Sequence, residues 1–591
     1  MKRLLLFFLS FVGFISSLRS FGQEFRYYER ILDARKLLYE KKDYTQAVAA
    51  YAAIFQATDD IEPPDKYDAA CALAMAGRTQ EALAYLKSII GVSYFNYDYL
   101  KKDTLLVALH QYRAWDKLLG RAHKTKLQPL TKAQMYRDFD LLVQSLMEAH
   151  TGLFWYNAKP QFDSLCLVLR SKIKRRANVL EFYRIIAPLI GFTKEAHTFV
   201  QLGRAAQSYM RYKGCYFPLF VRILDGQCYI LNDVGNAGTK GFQLTGINGV
   251  SIDSIMDTFM ALEPSDGYNI SSKYRWIESG YNFNAYFGRC FPMTGSFDID
   301  VIDTATGASR RIKRIPSVSL NELANLNDSL NRVYPARSFD RPAVFSIDTM
   351  NSTAVMTLNT FSAAAYRSAG MDFEQFVAEA FQQLRDNQIR NLILDIRKNE
   401  GGNEGYEDEV MSYLVSIDYN KFNYVQASAF TYSFYAYSDY KHDYHKLDSI
   451  MRTEHYLDMD GRILRKPGIL KHAKAKPNPF DGKLVVLTGG LTYSAGATLA
   501  SLLKIHTDAT FVGEEAGGGY HGNTSGLRIV LKLPYSKLEI GIPLLKFVLD
   551  TDGKDAQFGH GLIPDYPVQP TIADFMQGHD PVMERAKALL Q

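Results

Sequence analysis

Cysteine is scarce in this chain: 591 residues hold five, an odd number, at Cys71, Cys166, Cys215, Cys228 and Cys290. That excludes the disulfide framework by which small exported domains hold their shape. Cys215 and Cys228 stand at a spacing that would let them pair across a hairpin, the plainer reading being small buried side chains. An excess of one charge is also missing. The 68 basic and 63 acidic residues leave a formal charge of +5, with no long Lys/Arg run, which argues against a nucleic-acid partner. Metal-ligand spacings are absent: His442 and His445 form the nearest approach to a pair, and no H-E-x-x-H or C-x-x-C pattern accompanies them, so no metal is expected. Nor is there a Walker or dinucleotide loop, since Gly517 to Gly519 is not followed by the helix pattern such loops require; no cofactor is expected.

Long apolar runs are missing too, save one. Lys2 and Arg3 precede fifteen apolar-rich residues, Leu4 to Leu18, and then a small and polar stretch ending at Gly22 and Gln23. Fifteen residues fall short of the roughly 20 that span a bilayer, whereas charge, apolar run and small residues in that order make a signal peptide. Residues 1–22 are therefore expected to be removed, delivering the protein to a periplasmic or extracellular space with no stable membrane anchor; no cysteine follows to carry a lipid. Without Lys2, Arg3 and Arg19 the charge falls to about +2. The remainder, with 47% hydrophobic and 22% charged residues overall, has the composition of folded globular domains.

Along the chain the hydrophobic period changes. Residues 23–126 read as helices with short polar breaks, and two segments, one around Ala47 and Tyr51 and one around Ala82 and Leu86, repeat at a spacing of 35 residues. That is near the 34-residue tetratricopeptide period, and a plain helical bundle is the alternative. Such an array offers a surface to a protein partner. Helical spacing continues over 127–205, with Phe139, Leu142, Leu146 and then Phe182, Ile185, Leu189. After Gly214 the period turns to two, and residues 206–335 read as a β-rich segment. Its strand, Asn248-Gly249 turn, strand and helix resemble a PDZ domain, which binds an extended chain by strand addition. From 336 to 591 strands and helices alternate, as in a parallel α/β sheet. Tyr419 to Tyr444, dense in Tyr and Phe, reads as a hairpin or flap, and Ser272 to Phe291 follows no template.

Two strand-to-loop junctions in this last part carry chemistry. At Leu394-Asp-Ile-Arg-Lys-Asn-Glu-Gly-Gly402, Gly401 and Gly402 free the backbone to point N–H groups at a developing anion. Asp395 and Arg397 there read as a structural ion pair. Farther on, the strand Lys483 to Leu487 breaks at Gly489-Gly490, and helical spacing resumes after Ser494. A serine at a helix N-terminus suits nucleophilic attack, because unpaired N–H groups favour the negative charge that attack creates; by itself it would read as an N-cap.

These junctions come in order with Phe511-Val-Gly-Glu-Glu-Ala-Gly-Gly-Gly519 and Gly561-Leu-Ile-Pro-Asp565. The set resembles the C-terminal processing, or tail-specific, serine protease family, from about Thr131 to the C-terminus. Its pattern is an Asp-x-Arg-x-Asn-x-Gly-Gly strand end, a Ser-Ala nucleophile turn, a Val-Gly-Glu segment and a Gly-x-x-Pro-Asp ending. The resemblance implies a multi-domain α/β protein with a ClpP/crotonase-like protease core over 336–591 beside a PDZ-like domain over 206–335; the tetratricopeptide-like reading of 23–126 rests on its own spacing. It implies a serine endopeptidase for extended or unfolded polypeptides, with Ser494 as nucleophile. The branch with a Ser-Lys dyad carries Lys about 25 residues after the nucleophile, where this chain has Gly519. The branch that includes tricorn protease and the interphotoreceptor retinoid-binding proteins takes its base from an upstream His, and Lys194-Glu-Ala-His-Thr198 is similar to its segment. His197 is thereby the candidate base and His521 the rival; Glu514 is a candidate for orienting the base or shaping the site, with loop hydrogen bonding as the alternative, and Ala495 with Gly401 or Gly402 supplies the oxyanion donors. Ala497 stands where the family commonly has Glu, which leaves a non-catalytic peptide-binding scaffold as an alternative. An α/β-hydrolase esterase is a further rival, because Thr492 to Gly496 lacks only the first Gly of G-x-S-x-G and Asp552 and His560 follow in order.

Overall fold

The computed structural model describes residues 24–591 except 58–60, 62, 91–96, 125–126, 128, 235–237, 335–340, 442, 471, 552 and 554–557. The expected signal peptide lies outside the described residues, as do His442 and Asp552. Among the described residues no helix is long and apolar enough to cross a membrane, and all five cysteines are free thiols.

The N-terminal part is helical, with Tyr44–Gln56, Pro63–Met75 and Thr79–Ile89 packed on one apolar cluster. Ala47 and Ala82 are both fully buried, so a small side chain sits at each close approach. Arg35 ties the first two turns together by reaching Asp65 at 2.9 Å and Asp68 at 2.7 Å. Next come Lys132–Ala149, Lys159–Ser171 and Val179–Phe192. The first and third open with capping boxes, Thr131 with Gln134 and Asn178 with Glu181, which fix where each helix begins. Their apolar faces share one core with the long antiparallel strands Gly522–Lys532 and Glu539–Leu549.

The period-two segment forms an antiparallel sheet in the order Val221–Leu224, Gln227–Ile230, Gln243–Ile247, Ser296–Ile302, Ser309–Pro316. Asn248 and Gly249, both with positive φ, make the turn into Val250–Ser251, and the helix Ile252–Leu262 follows. The stretch without a template contains two helices, Ile270–Glu278 and Asn282–Cys290. Tyr419 to Tyr444 does not close on itself: Phe422–Ala427 pairs with Glu539–Leu549, and Tyr432, Phe434 and Tyr435 are buried in the core.

The last sheet positions the chemistry. Its order is Ala343–Asp348, Thr353–Leu358, Asn391–Asp395, Lys483–Thr488, Thr510–Gly513, Tyr566–Pro567, with the first pair antiparallel and the rest parallel. The apolar runs of Asn391–Asp395 and Lys483–Thr488 are covered on both faces, as parallel strands require. These two strands are neighbours. Their carboxyl ends therefore open side by side, which is where open α/β sheets receive ligands.

Candidate active site

Ser494 lies between the strand Lys483–Thr488 and the helix Ala495–His506, and the turn that carries it is latched to the adjoining strand end. Thr492 Oγ1 donates to the Ile396 carbonyl at 2.8 Å and accepts from Gly489 N–H at 3.0 Å. Tyr493 N–H donates to the Asn399 carbonyl at 2.9 Å. The consequence for Ser494 is a forced backbone, φ 53° and ψ −125°. Its side chain caps nothing; Oγ is instead 3.2 Å from His197 Nε2.

His197 is brought there by a pinned turn after Val179–Phe192. Ala196 N–H donates to Asp266 Oδ1 at 3.0 Å, and the other oxygen of Asp266 accepts from Gly519 N–H at 3.1 Å. Glu195 accepts from Thr524 N–H at 3.1 Å and from its hydroxyl at 2.8 Å. Two buried acidic side chains thus fix the imidazole-bearing turn, Asp266 to the glycine-rich loop beside Ser494 and Glu195 to the strand Gly522–Lys532. Burial pushes both carboxyls up, Asp266 to about 6 and Glu195 well above the carboxylate range, where the charge of Asp266 adds to the effect. From Phe199 the chain runs on as a strand paired with Glu539–Leu549, which anchors the turn from its other end.

The second imidazole nitrogen is occupied by a group that sequence reasoning passed over. Tyr493 Oη is 2.7 Å from His197 Nδ1, with ring centroids 4.8 Å apart. Burial holds the imidazole down to about 3, with the positive charge of Arg528 acting in the same direction, and its outer edge stays open to the crevice. At neutral pH the ring is uncharged. Burial raises the Tyr493 phenol well above its ordinary range, so it keeps its proton.

The Asp395 to Gly402 junction, where oxyanion donors are expected, lies against Ser494. A Cβ on Gly401, at φ 85°, would lie 2.8 Å from both Ser494 Cβ and Ala495 N, so only glycine lets this loop touch the nucleophile. Gly401 N–H is spent on Asn399 Oδ1 at 2.9 Å, which makes Gly401 a close-approach residue and not a free donor. Gly402 N–H has no hydrogen bond among the described residues, and Ala495, at the first helical position, has no intrahelical acceptor for its own. Those two amides remain available to an anion.

Of the two readings of Glu514, orienting the base or bonding its own loops, the contacts are those of the second. Its carboxylate accepts from Gly490 N–H at 3.4 Å and lies 3.7 Å from Arg275 Nε, so it braces the break before the nucleophile turn and does not orient His197. His521 packs against Tyr520 and Phe558. Arg397 grips Asp395 with Nε and Nη2 at 3.0 and 2.7 Å and holds Asp580 as well, which is structural pairing. At Ala497, the missing carboxylate leaves room for backbone: a Cβ on Gly518 would come within 2.5 Å of Ala497 Cβ. Among the described residues no group of three His, Cys, Asp or Glu side chains is arranged to hold a metal ion.

Residues 352–568 match the model of peptidase family S41. No curated protein matches the chain. Among solved structures, mature CPAF is 14% identical with a TM-score of 0.53, over 78% of this chain and 97% of that one. CPAF complexed with lactacystin gives 13% and 0.53, over 78% and 98%. The photosystem II D1 C-terminal processing protease is 14% identical with a TM-score of 0.34, over 74% and 93%. At such identities the likeness to CPAF is one of fold.

Proposed function

We propose that this chain, a serine-type peptidase with its family S41 match over residues 352–568, cuts extended polypeptides with Ser494 as nucleophile and His197 as general base. The observation that carries the reading is the 3.2 Å contact between these two side chains, 297 residues apart in sequence. Ser494 Oγ attacks the scissile carbonyl carbon while its proton passes to His197 Nε2. The carbonyl oxygen becomes an anion and is met by the N–H groups of Gly402 and Ala495, helped by the positive end of the helix Ala495–His506. As the tetrahedral intermediate collapses, the C–N bond breaks and the imidazolium gives its proton to the departing amine. Water then repeats the sequence on the acyl-enzyme, restoring Ser494 and releasing the acid. A neutral imidazole is ready for the first transfer, and a half-buried nucleophile is open to a substrate chain.

We assign the export signal to residues 1–22, a tetratricopeptide-like surface to 23–126, the base-bearing helical layer to 127–205, a PDZ-like substrate-binding unit to 206–335 and the protease core to 336–591. The protein then works outside the cytoplasm on chains that lack stable structure. Purified protein should label at Ser494 with a fluorophosphonate and digest an unfolded protein; Ser494→Ala should lose both. Digestion that persists in Ser494→Ala rejects the nucleophile, and loss in His521→Ala but not in His197→Ala rejects the base.

A further inference from the structure

We propose that Tyr493 is the positioning residue of the imidazole, its phenol oxygen doing for Nδ1 what a carboxylate does in other serine peptidases. The proposal rests on His197 being the base. Tyr493 precedes the nucleophile directly, is buried, and has its backbone N–H fixed at 2.9 Å to Asn399, so its ring cannot drift relative to Ser494. Among the described residues no carboxylate is hydrogen-bonded to either nitrogen of His197. The nearby acids are committed elsewhere: Asp266 to two backbone amides, Glu195 to Thr524, Glu514 to Gly490 and Arg275.

The proton count decides what the phenol does. A base at Nε2 needs its lone pair toward Ser494, which places the ring proton on Nδ1, and Nδ1–H then donates to Tyr493 Oη across the 2.7 Å contact. Were the phenol to donate to Nδ1, the ring proton would sit on Nε2 and the base would be blocked. Once Ser494 has attacked, both nitrogens carry protons, and the phenol oxygen is the acceptor that faces Nδ1–H. The bond is therefore stronger in the transition state than before it, which is the condition for raising kcat. Because the acceptor is neutral, its contribution should be smaller than that of a carboxylate.

Tyr493→Phe keeps the ring and its packing and removes only the oxygen. The expected result is a kcat lower by about 10- to 100-fold with KM within about twofold, and unchanged circular dichroism. In protein carrying 15N-labelled histidine, the His197 signals should report a protonated Nδ1 in the parent and a tautomer mixture in the variant. If Tyr493→Phe fails to fold, 3-fluorotyrosine at position 493 preserves shape while weakening the oxygen as an acceptor, and should lower kcat by a few-fold. A kcat unchanged in Tyr493→Phe or with fluorotyrosine, or identical His197 signals in parent and variant, overturns the proposal. Loss of activity in His197→Ala with none in Tyr493→Phe overturns the positioning role alone; activity retained in His197→Ala overturns both it and the base.

Discussion

Ser494 has φ 53° and ψ −125°, a conformation that residues with a Cβ rarely adopt and glycine enters freely. Holding a non-glycine residue there costs on the order of 1–3 kcal/mol. The turn is held just before Ser494 by bonds from Thr492 to Ile396 and from Tyr493 to Asn399, and just after it by the helix bond from Thr498 N–H to the Ser494 carbonyl, so relaxation cannot remove the strain without breaking them. Ser494→Ala and Ser494→Gly both delete the hydroxyl, its contact with His197 and all activity, including self-digestion. They differ in the strained Cβ, which only alanine retains. Glycine loses about 0.5–1 kcal/mol through the extra freedom of the unfolded chain, which at the centre of both ranges leaves it ahead by about 1.25 kcal/mol. For a domain of 150–250 residues each kcal/mol moves the melting temperature by about 2–4 °C, so the protease-core transition in calorimetry should be higher in Ser494→Gly by about 2.5–5 °C. A glycine variant that melts at or below the alanine variant would refute the claim that the nucleophile is held under strain.

Other expectations follow from the same coordinates. The acid limb of kcat/KM should lie below 6.5, because burial and Arg528 hold His197 down toward about 3; at pH 5, where an ordinary imidazole is about 97% protonated, activity should persist, and a limb near 6.5 contradicts this. The unfolded chain takes up protons at these histidines that the folded one refuses. The contribution of His150, His455 and His197 to stability is thus complete above pH 6.5 and declines as pH falls, through about 4 for His150 and His455 and about 3 for His197, while the raised carboxyls of Asp266 and Glu195 act in the opposite sense, so His150→Gln should make the change in melting temperature from pH 7 to pH 5 less destabilising than in the parent. Gly401→Ala, forced against Ser494 Cβ and Ala495 N, should cut activity more than about 100-fold while the chain still folds; activity within threefold of the parent is the contrary result. Asp580→Ala should remove the N-cap of the helix Pro581–Leu590 as well as its hold on Arg397, at a cost of about 0.5–2 kcal/mol, seen as faster amide exchange confined to that helix.

Much of this architecture is legible in residue order. The change of hydrophobic period after Gly214 marks the antiparallel sheet, the Asn248-Gly249 turn is where the dipeptide says, and Gly489-Gly490 marks the end of the strand before Ser494. Tyr493 escaped notice because an aromatic beside a nucleophile reads as packing; only the fold shows that its oxygen meets an imidazole from a distant segment. Glu514 stayed open between two roles for the mirror reason. A carboxylate in a motif invites a catalytic role, yet its destination depends on Arg275, which lies in the stretch 272–291 that matched no template. Gly401 and Gly402 look alike in sequence, and the Asn399 side chain separates them by occupying the N–H of one.

The separation of 297 positions between His197 and Ser494 also bears on the protein's own birth. A half-made chain leaving the ribosome already has its imidazole but no hydroxyl for it to serve, and both strand ends must pair before the two meet. On the proposed roles, cleavage therefore waits until the distant halves of the site have come together.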